Sequence, residues 1–161
     1  MLEPGLLLLR LVVVGGLAVW LTLILINVIT DRKGTVASVA LIMTMNLIAQ
    51  DNDTHPLLRR RIESRFWHVI GAVAIMTLQA ITVVLLWRGT VLLLSDASAS
   101  ALSTQTVTAV QQGLTAFAAL WLFMLMGGMW FVYWLKQPGL QQLHLTLLLV
   151  AIATGILFSV A

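Results

Sequence analysis

Apolar residues fall in four long runs along this chain, over residues 5–30, 67–87, 113–135 and 140–161. The middle of each run carries no Asp, Glu, Lys or Arg. Each run supplies about the 20 residues that a helix needs to cross a hydrocarbon layer roughly 30 Å thick. In lipid the backbone must satisfy its own polar groups, so each run is expected to be helical. The expected fold class is all-α: a four-transmembrane-helix bundle forming one integral membrane domain over residues 1–161.

The connection over residues 31–66 breaks this pattern. Within it, Thr35 to Gln50 is apolar but only 16 residues long, short for a crossing. On a helical wheel Thr35, Ser38, Asn46 and Gln50 share one side. Val36, Val39, Ala40, Met43 and Leu47 lie largely elsewhere, and Thr44 interrupts the separation. The pattern predicts an amphipathic interfacial segment between the first and second spans, or a re-entrant one. A helix packed beneath the bundle is the alternative. Asp51-Asn52-Asp53-Thr54-His55-Pro56 reads as a turn leading to a new helix start.

Further along, Arg88-Gly89 is expected to close or kink the second helix. Ser95 to Gln112, rich in Ser, Thr and Gln, reads as a loop whose second half extends the third helix. Lys136-Gln137-Pro138-Gly139 reads as a tight turn joining the last two helices in an antiparallel hairpin. Trp67 and Trp87 are about 30 Å apart along a helix and are expected to mark the two interfaces. Small residues mark candidate packing surfaces: Gly15 and Gly16, Gly127 and Gly128, and a stripe of Ala151, Gly155 and Ser159.

Composition agrees with a lipid-facing surface. The chain is 60% hydrophobic and 9% charged, against about 25% charged in soluble domains. It has no cysteine, which removes disulfides, thiolate metal sites and cysteine nucleophiles. Met1-Leu2-Glu3-Pro4 places an acid before the first run, which is also too long for a signal peptide, so that run is expected to be a retained span. Arg10, near its start, is expected to snorkel to the headgroups.

The net charge of +3 is unevenly placed, with six of the nine Lys and Arg residues within 31–66. Lys136 falls on the same side of a four-span topology, and Arg88 and Arg10 on the other. The positive-inside rule puts the basic loop in the cytoplasm and both termini outside. The bilayer therefore accounts for the charge, and no nucleic-acid partner is expected.

Candidate chemistry is sparse. His68 and His144 fall at similar depth on different helices and could hold haem b or border a quinone. Interfacial histidines bonded to water, backbone or headgroups are the commoner case. Asp51, Asp53 and His55 have metal-ligand chemistry, though a turn before proline commonly uses such residues. Arg59, Arg60, Arg61 and Arg65 are expected to contact anionic lipid, or an acidic partner. Asn27, Thr77 and Gln79 are polar residues within spans, expected to mediate helix contacts. Proton and ion paths need ionisable groups inside the membrane, and the run centres lack them. No metal and no catalytic residue is assigned.

Asn27-Val28-Ile29-Thr30-Asp31 resembles the N-N-I-T-D motif of a bacterial family of predicted small integral membrane proteins of unknown function. Gly127-Gly128-Met129-Trp130-Phe131 resembles that family's G-G-E-W-F motif, with Trp134 matching a following tryptophan. Gly139 and Gln141-Gln142 are similar to its N-G-Q-Q segment. Gln79 and Met129 stand where the family has glutamates, and Val28 where it has a second asparagine. The resemblance implies a multi-pass protein of a bacterial inner membrane and no established activity.

These readings lead to a non-catalytic accessory, assembly or anchoring subunit. Its partners would be the bilayer and other membrane subunits or a second copy, and it would carry no cofactor. The alternatives are a redox anchor binding haem b or quinone through His68 and His144, and a small oligomeric transporter or channel.

Overall fold

The computed structural model describes residues 4–99 and 101–159, and these contain no strand. Met1 to Glu3 and the last two positions of the fourth apolar run lie outside them. The described residues form six α-helices: α1 (Pro4–Thr30), α2 (Arg32–Met43), α3 (Asn46–Ala49), α4 (Arg65–Ser95), α5 (Thr104–Trp130) and α6 (Pro138–Ser159). Of these, α1, α4, α5 and α6 are long and apolar enough to cross a membrane. Lipid-facing side chains such as Leu23, Val84 and Leu149 are exposed, while Val14, Leu86, Val110 and Phe117 pack together inside.

The second span runs past the expected stop. α4 has 31 residues and continues through Arg88-Gly89 to Ser95, a length of about 46 Å. Gly89 serves the seam with α5. A Cβ there would lie 3.1 Å from the Val110 Cα, and one on Gly113 would lie 3.2 Å from Leu85 and Leu86 backbone atoms. These glycines let two backbones approach, which is how helices gain contact where lipid supplies no hydrophobic drive. Trp87 likewise does not end the helix; its Nε1 donates to Thr22 Oγ1 of α1 at 3.0 Å. The loop before α5 is held by Asp96, whose Oδ2 accepts from the Ser103 N–H at 2.7 Å. Ser103 then caps α5 by accepting from the Thr106 N–H.

Arg10 does not snorkel. It is 1% exposed, within the bundle. Its Nη2 donates to the Leu157 carbonyl at 2.8 Å, and its guanidinium lies 5.1 Å from the Phe158 ring centroid. Leu157 is in the last turn of α6, where carbonyls lack helical partners and the helix dipole favours a cation. Arg10 Nε and Nη1 have no partner among the described residues.

The Asn27–Asp31 segment joins two helices. Asp31 caps α2, its Oδ1 accepting from the Gly34 N–H at 2.8 Å. Thr35 Oγ1 lies 3.2 Å from the Val28 carbonyl and 2.9 Å from that of Asp31, and so ties α2 back to α1. The amphipathic segment forms α2 and α3, with a break at Met45, whose φ is 53°. α2 lies against the start of α4, where a Cβ on Gly71 would come within 3.1 Å of the Val39 side chain.

Candidate functional site

At the basic end of the bundle α2 packs on α4, and α5 and α6 line a cavity with them. There α5 stops at Trp130, and Val132 takes a left-handed conformation with φ 56°. That is costly for a β-branched residue and persists only where packing imposes it. Val132 and Met45, the two positive-φ residues among the described residues, are buried in one small cluster with Ile48, Leu58 and Phe131. The reversal at Val132 sends Tyr133 back against α5. A Cβ on Gly128 would fall 2.5–2.7 Å from three carbons of the Tyr133 ring, so this glycine makes room for the phenol.

Tyr133 stacks on His144 of α6, with ring centroids 6.0 Å apart and planes at 21°. The phenol oxygen is 3.2 Å from His144 Nδ1. Trp121 lies 5.4 Å from the same imidazole, which is 2% exposed. Burial raises the Tyr133 pKa above the usual phenol value, so its proton stays on. In the tautomer in which the phenol donates to Nδ1, a neutral imidazole carries its own proton on Nε2.

Beside this pair lies a cavity of about 350 Å³. α2 supplies Val39, Ile42 and Met43 to its wall, α4 supplies Ile75, and α5 supplies Phe123 and Met124. Polar chemistry comes from Tyr133, His144 and Ser38. Ser38 already donates to the Gly34 carbonyl at 2.9 Å. The wall is therefore apolar with one hydrogen-bonding corner, the usual make-up of a small-molecule site.

The two histidines are not brought into one pocket. His68 is 5% exposed, and its Nε2 lies 2.8 Å from the Ile62 carbonyl. It opens into a separate groove on α2, with Arg32, Lys33 and Arg65.

The arginines also divide. Arg59 lines a loop pocket with Asp53 and His55. Arg60 lies 4.9 Å from the Trp130 ring centroid, and Arg61 Nε is 3.0 Å from Glu63. Asp51 pairs with Lys136 and so ties the loop to the turn before α6, while His55 Nδ1 accepts from the Leu57 N–H within the loop. Among the described residues, no three of His, Asp and Glu are gathered for a metal.

The small residues serve different ends. Gly15 meets Thr90 of α4, whereas Cβ atoms on Gly16, Gly127 and Gly155 would meet nothing within 4 Å. In α6, Ala151 is buried and Ser159 exposed, so the stripe does not form one seam. Asn27 and Thr77 are exposed; Gln79 is 3% exposed, with Oε1 lacking a partner. The α4–α5 register places Gln79 level with Leu120 and Trp121, and Trp121 Nε1 also lacks one.

Sequence reasoning missed Tyr133 and Trp121 as partners of His144. Tyr133 acts from a turn outside any helical period, and Trp121 sits in a run where every neighbour is apolar.

The chain belongs to a family described as "predicted small integral membrane protein (DUF2165)", which matches residues 6–161. Neither a curated protein nor a solved structure matches it.

Proposed function

We propose that this member of the family is a non-catalytic accessory protein of a bacterial inner membrane that holds one lipophilic molecule beneath α2. The basic end faces the cytoplasm, following the charge bias, and both termini face out. The observation that supports binding is the cavity of about 350 Å³ with hydrogen-bonding groups at one corner, Tyr133 and His144. Such a site favours a guest with an apolar body and one acceptor, which the imidazole Nε2–H can meet. A quinone has both features. Haem b is less well supported, because His68 and His144 open into different cavities. An ion path is also poorly supported, since no Asp, Glu, Lys or Arg lines this cavity.

The test is a titration of the purified chain with a short-chain quinone, followed by tryptophan fluorescence. Saturable quenching is expected, weakened about tenfold in Tyr133→Phe by loss of the hydrogen bond that sets the imidazole tautomer. Gly127→Leu should abolish binding, because that position lines the cavity and has open space beyond it. Equal quenching in all three proteins would contradict the reading.

A further inference from the structure

We propose that the groove on the other side of α2 binds the phosphate of an anionic phospholipid through Arg32, Lys33 and Arg65. This inference is independent of the cavity reading, since the two sites share no lining residue.

Sorting the cations of the basic loop leads to this groove. Arg61 has Glu63, Arg60 has the Trp130 ring, and Arg59 lies with Asp53. The remaining three, Arg32, Lys33 and Arg65, line one groove of about 560 Å³, and no acid lines it with them. Arg32 Nε donates to the Ile29 carbonyl at 3.2 Å, which holds its guanidinium in place and leaves its terminal nitrogens to a ligand. α4 begins at Arg65 and its N-cap Ser64 makes no side-chain cap bond, so that helix N-terminus adds partial positive charge beside the groove, whereas Asp31 caps that of α2. Asp31 is bonded to the α2 first turn and does not line the groove, so an anion entering there meets three cations and would ease their mutual repulsion.

The source of that anion follows from what lies beside the cations. The groove also contains Val36, Ala37, Ala40 and Val69. Val69 is 39% exposed, and Val73, one turn further along the same face of α4, is 49% exposed. Cations above an apolar track match a phosphate with acyl chains attached, whereas free phosphate would use only the upper part. Both sources share the phosphate chemistry, and the experiment separates them.

The full chain in detergent is mixed with phosphatidylglycerol or phosphatidylcholine, and bound lipid is counted by native mass spectrometry. Phosphatidylglycerol should be retained about tenfold better. Arg32→Gln/Lys33→Gln/Arg65→Gln should erase that preference. The control Arg59→Gln/Arg60→Gln/Arg61→Gln makes the same charge change and should keep it within about twofold. Equal losses in the two triple variants would show a diffuse charge effect and overturn the site. Lys33→Glu guards against misfolding, because an acid near a helix start is tolerated. It should lose the preference, and retention would count against the groove. Inorganic phosphate at about 10 mM should not displace the lipid. Displacement would make the groove a free-phosphate site and refute the lipid assignment.

Discussion

At Gly89 and Gly113 the backbones of α4 and α5 come so close that an added Cβ would lie 3.1–3.2 Å from a neighbouring backbone. At the basic end Gly127 has nothing within 4 Å, and the helices part around a cavity. The same residue type closes one region and leaves the other open. The difference lies in what faces each glycine. The seam is one long helix against another. The basic end is covered by a short helix, a loop and a reversal, held by two left-handed residues in a small cluster. A close seam resists rearrangement, whereas a lid over a cavity can admit a guest.

The largest effect is expected at the seam. Gly113→Leu should lower stability by about 3 kcal/mol, because the intruding atoms meet backbone that cannot rotate away; a thermal melt in detergent reads this. The comparison sharpens with one substitution made in both regions. Val110→Gly should cost about 3 kcal/mol, from lost packing and a glycine in mid-helix. Val132→Gly should be neutral within about 1 kcal/mol, since relief at φ 56° offsets the lost side chain. Equal losses at the two valines would break the distinction.

Gly128→Ala should cost about 2 kcal/mol by displacing the Tyr133 ring, and its tryptophan emission should shift as His144 loses that stacking partner. The smallest effect belongs to the exposed Lys136–Asp51 pair. Lys136→Met should change stability by less than about 1 kcal/mol, and high salt should remove the difference.

The spans were legible because hydropathy over about 20 residues is a strong signal in a chain that must satisfy its backbone in lipid. The amphipathic segment was legible from the wheel positions of Thr35 and Ser38 against Val39 and Met43. The end of α4 was not, because Gly89 reads locally as a stop and its reason, Val110, is 21 residues away. Arg10 departs from the sequence expectation for a similar reason. A cation near a helix start suggests headgroups, and only the fold brings the Leu157 carbonyl to it. The sequence marks His144 as a candidate, but pairs it with His68. Its actual partners come from a turn and from an apolar helix face, where periodicity carries no message.

The central claim is that the basic end encloses a guest. The most direct measurement is the native mass spectrum of the chain ejected from its own membrane vesicles. Beyond the phospholipid that the groove of Arg32, Lys33 and Arg65 gives both proteins, the account predicts one further adduct of one defined mass on the wild type that is missing from Gly127→Leu. Identical adducts on both proteins would contradict it.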